Sequence, residues 1–414
     1  MHANNPTFEA IEIERLTHDG RGVARINGKT VFVADTVPGD IISLKITKQQ
    51  DKFDEADLIQ IQTPSNDRTT PFCELYEQCG GCQLQHMSID AQRRWKAENF
   101  ITQLTKAVNS KQCEITPPLC GADQAYRRRA RFGLAISKKD KVARLGFREK
   151  QSNELIDVAQ CPVLTPALNQ ALQEQRPRLL ESASRAYKEI TLVEADNGVF
   201  TTNSSEDTVI NMQPHYEIEG LTLNFPADGF VQVNSQQNKQ MVAQAIQWLE
   251  LDTGKHKVLD LFCGVGNFTL PIAKQAKKVT GIEGLAELVD SATTNAKNNQ
   301  LNNTEFFKAN LFEACEKLPW FREQKYHRVL LDPGRQGAFE ISKKLHLLKA
   351  EIIVYVSCNA STLIRDVQEL EKQGYQLTKA GLIDMFPHTT HTEVMVQLKK
   401  SKKPKPKKAN IFRF

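Results

Sequence analysis

The stretch Val354-Tyr355-Val356-Ser357-Cys358-Asn359 reads as a buried strand that ends on a cysteine. Ser357, Asn359, Ser361 and Thr362 surround Cys358 with polar side chains, and a helix starting just after it would favour the thiolate. Such a thiol is either a nucleophile or one more packed cysteine. As a nucleophile it suits the methylation of a pyrimidine at C5, a carbon that is unreactive by itself. Thiolate addition at C6 turns the ring into an enolate whose C5 accepts the methyl group. A base must then remove the C5 proton so that the thiolate leaves. A base candidate stands in Asp384-Met385-Phe386-Pro387-His388-Thr389-Thr390-His391-Thr392-Glu393, where Glu393 opens a strand after a polar turn. Beside apolar residues its pKa would rise toward neutrality; His388 and His391 are rival bases.

A nucleotide site is spelled out upstream. Val258 to Phe262 reads as an apolar strand running into Cys263-Gly264-Val265-Gly266-Asn267-Phe268. Glycines 264 and 266 allow a sharp turn and a close approach of backbone to ligand. Glu283 ends the next strand, 17 residues after Gly266, where an acid can accept hydrogen bonds from two ribose hydroxyls. Thr269 replaces the third glycine of the dinucleotide fingerprint, so the span suits S-adenosylmethionine better than NAD. The bland alternative is a tight turn with a solvated Glu283. Leu331-Asp332-Pro333-Gly334-Arg335 ends a further strand and opens on the same crevice as Cys358.

Four other cysteines have ligand spacing. Cys73, Cys79 and Cys82 fall within ten residues, and Cys161 follows far downstream before Pro162. Four thiolates suit an iron–sulfur cluster or a tetrahedral zinc ion. Cys113, Cys120, Cys263 and Cys315 read as ordinary packed or surface residues. Tyr126-Arg127-Arg128-Arg129-Ala130-Arg131-Phe132 puts four arginines and two aromatics in seven residues, which suits either phosphate contact and base stacking or a salt-bridged strand.

These residues need elements to hold them. Short strands with turn signals at Asp19-Gly20, Asn27-Gly28 and Pro38-Gly39 make residues 1–62 an OB-like β-barrel. Residues 63–227 read as a mixed central domain, with helices over Ile89 to Ala107 and near 164–183. Residues 228–398 alternate strands and helices, including helices over Gln236 to Leu249 and Asn267 to Lys277, and imply a doubly wound parallel sheet. Tyr375 to Ile383 and Val394 to Leu398 close it as an antiparallel pair. The fold class is multidomain α/β.

The chain has 414 residues and a net charge of +5, but residues 399–414 alone carry seven Lys and Arg413 without an acid, or +8. The rest is therefore 5 − 8 = −3, so a case for RNA rests on local patches and on this basic tail. No apolar run approaches the roughly 20 residues that span a bilayer. The N-terminus has no secretory pattern, which points to the cytoplasm and to nine cysteines that serve as ligands or catalysts before disulfides.

Taken together, the chain resembles the RNA uracil-C5 methyltransferases over nearly its whole length. The signatures are D-L-F-C-G-V-G-N-F at 260–268, L-D-P-G-R-Q-G-A at 331–338, Y-V-S-C-N at 355–359 and D-M-F-P-H-T at 384–389. The resemblance implies Cys358 as nucleophile and Glu393 as base. It implies Gln232, Phe262, Asn267, Glu283, Asn310 and Asp332 around S-adenosylmethionine, with Arg335 toward the target. Gly334 departs from the alanine expected of most relatives. The barrel resembles a TRAM domain, and relatives with this cysteine set carry a 4Fe-4S cluster, here on Cys73, Cys79, Cys82 and Cys161. TRAM plus cluster implies 23S rRNA, at uracil 1939, with the base flipped from its stack and no obligate protein partner. Rival readings are a uracil-C5 methyltransferase of tRNA or of another rRNA site, and a non-catalytic cluster-bearing RNA-binding factor. A cytosine-C5 enzyme would show a Pro-Cys nucleophile, absent here, and an amino-group methyltransferase an Asn-Pro-Pro-aromatic strand end.

Overall fold

A computed structural model describes residues 6–109, 111, 113–203, 212–322 and 325–401, so the basic stretch expected at 399–414 lies outside the described residues from 402 onward. Packing divides the chain into two compact units that do not follow chain order. One comprises Met1–Thr102, Pro117–Ala243 and Leu382–Glu393; the other Gln103–Thr116, Gln244–Gly381 and Val394–Phe414. Among the described residues no helix is long and apolar enough to cross a membrane.

The first unit begins with a six-stranded sheet in the order Thr7–Glu12, Ile41–Gln49, Phe53–Thr63, Lys29–Val33, Gly22–Ile26, Arg15–Leu16. Asn27 and Gly28 both have positive φ, 50° and 81°, as the two-residue hairpin between Gly22–Ile26 and Lys29–Val33 requires. Inward residues Ile13, Ala24, Val31, Val33, Ile42 and Leu44 are fully buried and form its core. Irregular register between Ile41–Gln49 and Phe53–Thr63 marks bulges that bend the long strands. The buried carboxylate of Asp40 accepts from Arg68 Nη2 at 2.6 Å and from the Ser65 and Val37 amides, which ties the sheet to the segment that follows it.

A helix spans Ile89–Ala107, as the apolar spacing predicts. A five-stranded antiparallel sheet follows in the order Leu155–Asp157, Ala143–Arg148, Arg129–Ile136, Lys188–Ala195, Gly198–Asn203. The helix Pro166–Glu181 starts with proline at its first position, where no amide bond is lost, and Thr165 caps it by accepting from the Leu168 amide. It buries Leu168 and Leu172 against Phe132, Leu134, Leu145, Ile190 and Leu192.

The second unit is built on an eight-stranded sheet in the order Thr304–Lys308, Lys278–Glu283, Lys257–Leu261, Arg328–Leu331, Ile352–Ser357, Glu393–Lys400, Tyr375–Ile383, Glu114–Ile115. The first five strands are parallel, and Glu393–Lys400 runs antiparallel to Ile352–Ser357. Chain order reverses at Lys257–Leu261, the switch point at which such sheets open a crevice for ligands. Two details differ from the sequence reading. The helix expected from Asn267 to Lys277 is only Thr269–Ala273. Glu114–Ile115, far outside the C-terminal stretch, adds a parallel edge strand against Lys379 and Ala380; two residues are too few to show a strand period.

Candidate active site

In the second unit the carboxyl ends of adjacent parallel strands carry Phe262, Glu283, Asp332 and Cys358. The turn after Lys257–Leu261 is held by the Phe262 and Cys263 amides, which both donate to the Ile282 carbonyl. Phe262 has φ 68°, Gly264 φ 54° and Gly266 φ 97°, so the chain takes three left-handed residues within five. A side chain at Gly266 would also drive its Cβ to 2.0 Å from Leu270, whereas one at Gly264 would meet open space. Gly266 therefore serves packing, and Gly264 supplies conformation beside an open face. Cys263 is buried against Gly281, the packed residue expected.

Glu283 accepts from Gly264 N at 3.0 Å and Gly284 N at 2.7 Å, so its carboxylate is oriented by backbone. Asp260, fully buried in its strand, accepts from the Thr269 hydroxyl through Oδ2, while Oδ1 has no hydrogen-bond partner among the described residues. Burial pushes the Asp260 carboxyl up to about 7, Thr269 pulls it back, and the charges of Asp332 and Glu283 push it further. Burial likewise lifts Asp332 to about 7. Three carboxyls thus lie close together at neighbouring strand ends, two of them raised toward neutrality by burial, and a cationic ligand beside them would favour their charged forms. Asn310 is exposed beyond the next strand, with its amide bonded to Glu313 and Phe312 N. Phe312, which the sequence reading missed, is 46% exposed and lies 5.8 Å from the Phe262 ring.

Cys358 sits between the strand Ile352–Ser357 and the helix Ala360–Lys372. It is neither fully buried nor disulfide-bonded. Asn359 caps the helix by accepting from Ser361 N, and its Nδ2 donates to the Arg335 carbonyl at 3.0 Å. Thr362 Oγ1 donates to the same carbonyl, so the Asp332–Arg335 turn and the cysteine turn are bound together. A residue without a motif signal holds this arrangement. The buried Asp366 carboxylate accepts from Tyr355 Oη at 2.7 Å, Ala338 N at 2.7 Å and Arg365 Nε at 2.8 Å. Gly337, φ 74°, is required there because a Cβ would sit 2.7 Å from Asp366. Asp366→Ala is expected to cost about 2–4 kcal/mol by stranding a buried hydroxyl and a buried amide, measured by urea unfolding.

The remaining candidates lie in the first unit. Gln232 is buried, and its carbonyl accepts from Arg128 Nε at 2.9 Å. Glu393 is 3% exposed. His388 is buried as well, with φ 64°, and its ring Nδ1 lies 3.1 Å from Gln92 Nε2. Burial lowers its pKa despite the nearby Asp123 carboxylate, and its Nε2 has no hydrogen-bond partner among the described residues.

Cys73, Cys79, Cys82 and Cys161 line one cavity of about 270 Å3. Burial pushes the Cys82 thiol up to about 12, and the other three sulfurs push in the same direction. Among the described residues no group of three or more His, Cys, Asp or Glu is gathered as ligands of a single ion. Four cysteines around one cavity are a donor set that suits an iron–sulfur cluster. Arg127, Arg129 and Arg131 line the same cavity. The run, open to phosphate contact or to a salt-bridged strand, turns two of its four arginines inward. Arg128 is buried over the Tyr216 ring, and Arg129 is buried with its Nη2 on the Asp228 carbonyl. Only Arg131 of the four is largely exposed, and it faces Glu189.

Residues 216–401 match the family model for tRNA (Uracil-5-)-methyltransferase, and residues 9–59 match the TRAM domain. The 23S rRNA (uracil(1939)-C(5))-methyltransferase RlmD of Vibrio campbellii is 40% identical, with 96% of this chain and 97% of that protein covered. The protein of that name from Vibrio cholerae is 41% identical, with 94% of each chain covered. Among solved structures, the Pyrococcus abyssi tRNA (uracil-54, C5)-methyltransferase in complex with S-adenosyl-L-homocysteine superposes with a TM-score of 0.72. That match has 24% identity over 94% of this chain and 99% of the other, and it establishes the fold. With a TRAM domain in front and this identity sustained along almost all of its length, the chain belongs to the RNA uracil-C5 methyltransferase family.

Proposed function

We propose that the protein transfers a methyl group from S-adenosylmethionine to C5 of uracil 1939 in 23S rRNA, giving 5-methyluridine. The observation that carries the rRNA assignment is identity near 40% to proteins of that name across at least 94% of the chain. Cys358 is the nucleophile and Glu393 the base. The Cys358 thiolate adds to C6, and the resulting enolate C5 takes the methyl group as the sulfonium S–CH3 bond breaks and leaves S-adenosylhomocysteine. Glu393 then takes the C5 proton, the C5–H electron pair restores the C5=C6 double bond, and the C6–S bond breaks to return the thiolate. Arg335 contacts the target or its neighbours.

Glu283, Asp332, Phe262, Asn267, Asn310 and Gln232 are the residues that hold S-adenosylmethionine, which supplies the methyl group. The grouping of the Asp260, Glu283 and Asp332 carboxyls supports a cationic ligand at this crevice. Protonation below pH 7 neutralises Asp260 and Asp332, so affinity for the cationic cofactor should fall as pH drops from 8 to 6. The expected loss is up to about tenfold per pH unit for each proton taken up. Calorimetric titration across that range checks it; Asp332→Asn should bind weakly and with a flatter profile. A pH-independent affinity in the parent protein would contradict the electrostatic account.

The four cavity cysteines fit a 4Fe-4S cluster, whose thiolate-ligated form is a net anion that the lining arginines offset. No disulfide joins the nine cysteines, all of which lie among the described residues, and that suits a reducing cytoplasm. The discriminating assay offers unmodified 23S rRNA fragments containing position 1939, the same fragments with that uridine replaced by cytidine, and a tRNA transcript. Methylation of the first alone supports the assignment; methylation of tRNA alone would replace it with the tRNA reading.

A further inference from the structure

Residues 382–393 pack in the first unit, and the turn within them is anchored to the cysteine-bearing loop. The His388 carbonyl accepts from both Gln83 N at 2.9 Å and Leu84 N at 3.0 Å, the two residues after Cys82. The His388 ring packs edge-on against Phe72, the residue before Cys73, with centroids 4.8 Å apart. Gln92, fully buried in the helix Ile89–Ala107, completes the clamp. Its Oε1 accepts from His388 N at 2.9 Å, and its Nε2 reaches the Leu84 and Met87 carbonyls at 2.9 and 2.8 Å. On the other side of the turn, the buried Lys96 donates to Asp384 Oδ1 at 3.0 Å and to the Phe386 carbonyl at 2.9 Å. Arg93 Nε donates to Asp384 Oδ2 at 3.0 Å.

These contacts over-determine His388, whose left-handed backbone is costly for a side-chain-bearing residue and persists only where surroundings enforce it. The enforcing groups are the immediate neighbours of two cluster cysteines. We propose that the Cys73, Cys79, Cys82 and Cys161 centre is a positioning device for the base: by fixing residues 72–87 it holds His388 in place and, five residues on, Glu393. Gln92 is the positioning residue that transmits the constraint. The inference rests on the reading of Glu393 as the base. It gives the metal centre a role in the reaction without any electron transfer.

The signature of a displaced base differs from that of a damaged fold. Thiolate addition and methyl transfer do not need Glu393, but release does, so a displaced base leaves methylated RNA bound covalently to Cys358. Full-length, anaerobically prepared protein is incubated with methyl-labelled S-adenosylmethionine and the rRNA fragment. The ratio of gel-stable protein–RNA adduct to free methylated RNA is then read for four proteins: the parent, Gln92→Leu, Cys82→Ser and Glu393→Gln. Gln92→Leu keeps all four cysteines and should raise the ratio at least tenfold with its cluster absorbance intact; Cys82→Ser, which removes a cluster ligand, should raise the ratio as far while its cluster absorbance falls. Adduct and product falling together in both variants would overturn the proposal. If Glu393→Gln turned over normally, the base reading itself would fail. A second arm is independent of activity: removing the cluster by chelation should speed amide exchange at Gln83, Leu84 and His388 at least tenfold while leaving Lys257–Leu261 protected. Unchanged exchange at the three amides would overturn the proposal even if the base reading held.

Discussion

Cys358→Ala is expected to abolish methyl transfer to RNA, lowering turnover by roughly 10^5-fold or more, the scale seen when a covalent nucleophile is removed. The size follows from the chemistry. Without thiolate addition at C6, C5 of uracil has no enolate character, and a pre-oriented methyl donor gains nothing from proximity. The loss should be confined to chemistry. Cys358 contributes no cap, because the helix after it is capped by Asn359, and the neighbouring turn is held by Asn359, Thr362 and Asp366. Unfolding free energy should therefore stay within about 1 kcal/mol of the parent and cofactor affinity should be unchanged. Rapid-quench turnover, urea unfolding and a cofactor titration on the same preparation make the comparison. Residual turnover within tenfold of the parent would remove the covalent mechanism, whatever the cofactor titration showed.

Glu393→Gln is expected to be the second most damaging change, with turnover down by about 10²–10⁴-fold, the usual contribution of a positioned base. Glutamine has the same shape, and the position is buried, so packing is preserved. The defect should appear after methyl transfer, as a labelled protein–RNA adduct that survives denaturation. Cys358→Ala should form none. The pair of variants thus divides the reaction into its two halves: one blocks entry to the adduct and the other blocks exit. A Glu393→Gln protein that lost methyl transfer without accumulating adduct would move Glu393 from proton abstraction to an earlier role.

The chemistry was more legible in the sequence than its support. Strand-end residues announce themselves, because an apolar run followed by glycines or by Ser-Cys-Asn leaves few other conformations, and Glu283, Asp332 and Cys358 all lie where the run lengths put them. The helix over Ile89–Ala107 was equally plain from its spacing. Residues that act through distant partners were not. Asp366 reads as one more acid on an amphipathic helix, yet it pins Tyr355 and Ala338. Gln92 has no motif at all; its value comes from His388, 296 positions away. The arginine run stayed open between two readings for a related reason. Composition gives the number of charges but not which way they point, and Arg128 and Arg129 turn inward to Tyr216 and to backbone carbonyls. The helix after Gly266 came out shorter than its apolar pattern implied, because from Lys274 onward the backbone tightens to bonds three residues back, Lys274 N to the Pro271 carbonyl and Gln275 N to the Ile272 carbonyl.

The most direct test of the central claim is the identity of the modified nucleoside. Unmodified 23S rRNA is incubated with S-adenosylmethionine and the anaerobically prepared protein, digested to nucleosides and examined by mass spectrometry, with Cys358→Ala in parallel. The account predicts 5-methyluridine, mapped to position 1939, in the parent reaction and none in the variant. Methylated cytidine, a methylated amino group, or 5-methyluridine formed equally by Cys358→Ala would contradict it.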